Sequence, residues 1–239
     1  MLPRTALVAV VVVALLSLGI GQSNQTPEEY VESPTNTYWV SCGNGDSPYK
    51  SRTATSLVLV SPDGANQAFT RATANAINEG SCENESKIFL RDRRFGDYKL
   101  IFSQKPEEYT TGNGVRLVDW SPDGRFLLIE EALWLPEDSD NKILLYDARK
   151  GKFVQPDFNV VLKGLPKDCY TDVRARGFSF DQKIMVEATV HPYYEIDEEE
   201  PINPDCPTKF EKWLVAVDGS AQQVSKDFKI DRYGKLLTK

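Results

Sequence analysis

The sequence predicts an all-β fold built from a four-stranded unit that occurs about three times. Three observations carry that expectation. The tetrapeptide Ser61-Pro62-Asp63-Gly64 returns after 60 residues as Ser121-Pro122-Asp123-Gly124, and after another 58 as the altered form Ser179-Phe180-Asp181-Gln182. Short runs rich in Val, Leu, Ile, Phe and Trp flank each of these stretches, with the length and composition of strands rather than helices. Each pair of runs is followed by two more, in "KIFLRDRRFGDYKLIFS", "KILLYDARKGKFVQ" and "KWLVAVDGSAQQV".

The chain starts outside this pattern. Arg4 precedes an unbroken apolar run from Ala6 to Leu16, small Gly19 and Gly21 follow, and the sequence turns polar at Gln22. That is the layout of a secretory signal peptide over residues 1–21. The rival, an uncleaved anchor, calls for a longer apolar core, and membrane attachment is expected only in that case. Residues 22–36 are polar and lack periodicity, as in a flexible leader, which leaves 37–239 for the folded domain.

Within the domain the turns organise the strands. In Ser121-Pro122-Asp123-Gly124, Pro sets φ at the second position, Asp bonds back to the backbone, and Gly takes the left-handed conformation that completes the reversal. The same reading holds for Ser61 to Gly64. The third unit keeps Ser179 and Asp181 but lacks the Pro and the Gly. The units span roughly 55–103, 115–162 and 172–226.

Charge and motif content narrow the function classes. After removal of the signal peptide, 27 basic side chains face 35 acidic ones, a net charge of about −8 without any basic block, which argues against nucleic acid and anionic membrane surfaces. The single histidine, His191, precedes Pro192, and Gly177-Phe178-Ser179-Phe180-Asp181 lacks the last glycine of a hydrolase elbow. There is no phosphate loop, dinucleotide fingerprint or zinc-protease helix, so neither a catalytic residue nor a cofactor is expected. Four cysteines in an exported chain suggest two disulfides, in the periplasm or outside the cell.

"WSPDGRFLLIE" followed by "KILLYDARKGK" resembles the repeat of TolB-like and WD-like β-propellers, over roughly residues 55 to 226. The resemblance implies a propeller-like array whose four-stranded blades carry this turn between their first two strands. Three blades are fewer than such rings usually hold. The terminal runs "TYWVSC" and "DFKIDRYGKLL" are candidates for a partial fourth blade; the alternatives are closure by a second chain, or an open array capped by a partner.

In an antiparallel blade the first-to-second and third-to-fourth turns share one end. The opposite end collects the long connections Asn75–Glu85, Leu135–Asn141 and Pro192–Glu211 and the links Gln104–Gly114 and Pro156–Asp172, which makes it the expected working surface. All four cysteines fall there, and the way they flank the first and third units favours Cys42 with Cys82 and Cys169 with Cys206. So does the segment holding Tyr193, Tyr194, Glu195, Asp197, Glu198, Glu199 and Glu200, read as a docking surface. Its spacing follows no calcium loop, and no metal is expected. Trp120 and Trp213 read as packing between blades. Asn84-Glu85-Ser86 matches the N-glycosylation pattern.

The expected function is therefore that of an exported, non-enzymatic propeller that binds another exported protein through its long-loop face, with self-association as a variant. The alternative is a propeller that binds a small molecule, a carbohydrate or a metal, or an enzyme that uses carboxylates in the central funnel. Glu130, Glu131 and Glu187 are the second-strand acids available for such work.

Overall fold

Alternating apolar residues, interrupted by turn residues at short intervals, leave the chain little choice but antiparallel strands. The computed structural model describes residue 40, residue 42 and residues 50–78, 81–92, 96–105, 112–134, 139–163, 169–191, 206 and 208–237. The first sheet contains β1 (Arg52–Thr55), β2 (Val58–Val60), β3 (Asn66–Asn78), β4 (Ser81–Asp92) and β5 (Lys99–Gln104). The second contains β6 (Gly112–Trp120), β7 (Phe126–Trp134), β8 (Ser139–Asp147) and β9 (Lys152–Val154). A one-turn helix, α1 (Asn159–Leu162), leads to the third sheet, β10 (Tyr170–Phe178), β11 (Ile184–His191), β12 (Lys209–Val215) and β13 (Ala221–Val224). The last strand is β14 (Lys235–Leu237). Consecutive strands pair antiparallel in each sheet, except that β1 and β2 both lie along β3, and β14 adds to the free side of β2.

The turns follow the residue chemistry. Ser121 Oγ donates to Asp123 Oδ1 at 2.7 Å and accepts the Phe126 N–H at 2.8 Å, while Gly124, at φ 67°, closes the reversal on Ser121 O. Ser61, Asp63 and Gly64 repeat the pattern. The third turn lacks the Pro and the Gly and closes one residue earlier, with the Ser179 N–H donating to Lys183 O where Ser121 donates to Phe126 O; Gln182 takes φ 63° and donates to Ser179 O at 3.0 Å, and Ser179 Oγ donates to Asp181. Serine and aspartate are therefore enough to hold the turn, and Gln182 carries the strain that glycine avoids.

The second sheet is buried on both faces, which explains the unbroken apolar run of β7. Leu127 and Ile129 join Trp120 in a core with Leu59, Ala68 and Ile88 of the first sheet. The alternate residues Phe126 and Leu128 pack with Ala175, Phe178, Ile184 and Val186 of the third. Trp120 is fully buried and its indole N–H donates to Leu59 O at 3.2 Å, as inter-sheet packing requires. Burial of such a side chain stabilises the fold by about 1.5–3 kcal/mol. The outward face of the first sheet carries Phe69 stacked on Phe89 at 5.0 Å, with Arg71 over Phe89 and Arg91 over Tyr98.

Several expectations change. The connection expected at Asn75–Glu85 is a tight hairpin, because β3 and β4 stay paired as far as Asn78↔Ser81. The units begin and end at 52–104, 112–154 and 170–224, so α1 belongs to a link rather than to the second unit. The partial fourth blade does not form from β14: Leu236 and Leu237 pair with Leu59 and Val58 and extend the first sheet instead. Of "TYWVSC" only Val40 and Cys42 are described, and neither is in a strand.

Residues 228–237 form a strap. Phe228 O accepts from Lys212 Nζ on the third sheet, Asp119 on the second accepts the Tyr233 and Gly234 N–H groups, and β14 completes the first. A Cβ on Gly177 would sit 2.8 Å from Ile230 Cδ1 and 3.1 Å from Asp119 Oδ2, so glycine is what lets β10 approach the strap. Leu59, Asp119 and Gly177 each lie two residues before the turn serine of their unit. The same repeat position in all three sheets thus meets one strap.

Candidate functional site

The end of the sheets opposite the serine turns is fixed by covalent bonds. Cys42 is joined to Cys82 and Cys169 to Cys206, with Cα atoms 5.9 and 5.7 Å apart, which is the pairing that the cysteine positions favour. Cys82 pairs in register with Ala76 near the tip of the β3–β4 hairpin, and Cys169 immediately precedes β10. Both bridges therefore stiffen the same end.

A cleft of about 420 Å³ lies where the second and third sheets part. Its walls are the start of β8 (Asn141, Lys142, Ile143), the link from Gln155 through Asn159 with Leu162 of α1, and the start of β10 (Tyr170 to Val173). Pro156 and α1 carry the chain away from β9 before β10 begins, so the inter-sheet core stays open at its margin. Ile143 is buried there, and Phe158 and Val173 pack against the same core. Leu162 remains 42 % exposed at the lip.

The polar groups of the cleft differ in how they are engaged. Asp172 accepts from Arg174 at 2.8 Å and from the Asn141 amide at 3.3 Å, so its charge is matched. Asp157 Oδ1 accepts the Asn159 N–H at 2.8 Å, and no cation pairs with it among the described residues. The other polar groups of the lining are amides, a phenol, a threonine and the Lys142 ammonium, groups suited to binding rather than to bond making.

Acidic side chains elsewhere hold the fold. Glu130, 1 % exposed, accepts from the Arg116 guanidinium and from the Ala175 N–H across to the third sheet. Glu187 is held by Arg176 and Lys212 on the third sheet. Asp147 receives Arg125 at 2.7 Å and the Arg149 and Lys150 N–H groups, and the Arg125 hydrogen bond holds its carboxyl below the usual range. Burial pushes the Asp119 carboxyl up, against the N–H donors of Gly234, Tyr233 and Trp120. Among the described residues, no three His, Cys, Asp or Glu side chains are placed to hold a metal ion.

The cleft falls partly in the link Pro156–Asp172 that sequence spacing places on the working surface. Within that link, "PDFN" at 156–159 carries no binding motif of its own. Tyr193, Tyr194, Glu195, Asp197, Glu198, Glu199 and Glu200 lie outside the described residues. The turn residues Ser61 to Gly64, Ser121 to Gly124 and Asp181 sit at the other end of the sheets, away from the cleft. Asn84 of the glycosylation pattern is buried in the folded chain, and its backbone carbonyl accepts from the Asn113 amide.

No protein-family model matches the chain, and no curated protein matches it either. The likeness to propeller repeats rests on the repeat residues themselves.

Proposed function

We propose that this chain is an exported, non-enzymatic, propeller-like module that binds another exported protein through its disulfide-braced end. The observation that carries this reading is the cleft between the second and third sheets, an uncovered apolar margin with polar groups around it, on an end stiffened by two disulfides. Three antiparallel sheets meeting one strap at equivalent repeat positions support the propeller-like arrangement, and the disulfides fit an oxidising compartment. The engagement of the carboxylates weighs against an enzyme with acids in a central funnel, since Glu130, Glu187, Asp119 and Asp147 make bonds that hold the sheets.

The test is crosslinking of the tagged mature protein in its native envelope or culture fluid. A variant with Glu195, Asp197, Glu198, Glu199 and Glu200 neutralised and one with Thr171→Arg in the cleft run beside it. Near-stoichiometric capture of one protein, reduced by either variant, supports the reading. Capture unaffected by both moves binding to another surface, and crosslinking of the chain only to itself replaces the partner with a second copy.

A further inference from the structure

From the lining of the cleft, we infer that it is the seat of a single aromatic side chain of the partner with a cationic group beside it. The inference rests on the protein-binding reading above and names the chemistry that the partner must bring.

Size comes first. At about 420 Å³ the cleft lies near the lower end of the range of small-ligand sites, roughly 300–1,000 Å³, and has room for a bicyclic ring together with the charged group beside it. The floor selects an apolar, flat group. Ile143 is buried, Phe158 and Val173 belong to the adjoining core, and Leu162 stands exposed at the lip, so a ring placed there extends a core that already exists. Aromatic anchors in preformed pockets supply much of the energy of protein interfaces.

Charge then selects what stands beside the ring. Lys142 has a partner of its own, and Asp172 is matched by Arg174 and Asn141. Asp157 is the acid at the rim with no described cation, and only one of its oxygens takes a local N–H. A partner that brings a lysine or arginine next to its aromatic residue satisfies that carboxylate, whereas one that brings an acid meets repulsion. The net charge of −7 on the whole chain favours approach of the same basic partner.

The probes are tryptamine, which joins an indole to an ammonium, and indole-3-acetate, which joins the same ring to a carboxylate. Each is titrated into the isotope-labelled mature protein and followed by amide chemical shifts. For a ligand of this size, saturable binding of tryptamine is expected at a Kd of about 1–5 mM. The shifts should centre on Ile143, Phe158 and Tyr170 to Val173, and indole-3-acetate should bind roughly ten-fold more weakly. Asp157→Asn should reduce that preference to about three-fold or less while leaving the fold intact, as judged by the rest of the spectrum.

No shifts in the cleft at about 20 mM tryptamine, or equal affinity for the two indoles, overturns the inference. The outcome is separable from the function test. If a partner is captured and tryptamine finds no seat, the face binds but the anchor chemistry is wrong. If tryptamine is bound in the cleft, with the Asp157-dependent preference, and no protein is captured, the anchor chemistry stands and the protein-binding reading falls.

Discussion

Asp119 Oδ1 accepts the backbone N–H of Gly234 at 2.7 Å, joining the second sheet to a strap 115 positions further along the chain. The Tyr233 N–H points at the same carboxylate, and Trp120 donates from its own strand. One buried side chain thus satisfies three backbone donors and locks the strap in place. Asp119→Ala leaves those donors without an acceptor and should cost about 2–3 kcal/mol. Urea unfolding near neutral pH measures it, and a loss below about 0.5 kcal/mol would show that β14, Ile230 and the Lys212–Phe228 bond hold the strap without Asp119.

Asp119→Asn separates the acceptor from the charge. Burial raises the Asp119 carboxyl above its ordinary value of 3.8. The folded chain therefore holds this proton more tightly than the unfolded chain. The stability tied to it is present below the unfolded value and is lost as pH rises through the folded one. The Asn variant has no such loss, so its stability relative to the parent should improve between about pH 4 and about pH 7. Paired urea curves at the two pH values read the change, and an opposite trend would mean that the three N–H donors outweigh burial.

A second buried acid sets how firmly the second and third sheets adhere. Glu130 is matched by Arg116, itself only 11 % exposed at its side chain, and by the Ala175 N–H. Glu130→Ala takes a carboxylate partner from the largely covered Arg116 guanidinium and the acceptor from the Ala175 N–H and should cost about 3–5 kcal/mol, whereas an apolar pair of similar volume at 116 and 130 should cost markedly less. Denaturant midpoints of the two variants test this, and equal losses would place the cost in the vacated space rather than the stranded charge.

These buried acids also mark where the sequence could be read and where it could not. The strands, the turns and the disulfide partners were legible because each is governed by local chemistry or by spacing within a repeat. Ser61 and Ser121 announce their hairpins, and the cysteines flank equivalent units. The strap was not legible, since "DFKIDRYGKLL" shows a short apolar ending but nothing of the Asp119 that receives it. The stretch Asn75–Glu85 reads as a loop because Asn75, Asn78 and Glu79 are residue types common in loops, while cross-strand pairing decides the strand's length. The cleft was visible only as a long link, because its walls come from β8, β10 and α1, which no local pattern brings together.

The disulfides should differ in what their loss does. They join residues 40 and 37 positions apart, so each is worth about 4 kcal/mol on the chain-entropy estimate. Replacing Cys169 and Cys206 with serine frees the segment that leads into β10 and its cleft residues, while replacing Cys42 and Cys82 acts on the first sheet. Both pairs should lower the unfolding midpoint. Hydrogen exchange at Tyr170 to Val173 should rise only in the Cys169/Cys206 variant, and a rise in both would mean that the two bridges brace one cooperative unit.

The third turn offers the opposite experiment, a gain of stability. Gln182 holds φ 63° where Gly64 and Gly124 hold 70° and 67°. A left-handed conformation costs an L-residue about 1–2 kcal/mol, part of which glycine returns through its greater freedom when unfolded. Gln182→Gly should therefore stabilise the chain by about 0.5–1 kcal/mol. The reverse change, Gly124→Gln, should destabilise by more, because a Cβ there would also lie 3.0 Å from Asp63 Oδ1. Thermal unfolding of the two variants against the parent decides the matter. If Gln182→Gly is neutral or harmful, the glutamine side chain must contribute a compensating interaction in the turn. The strain at this position would then be offset locally rather than borne by the cores on either side of the second sheet.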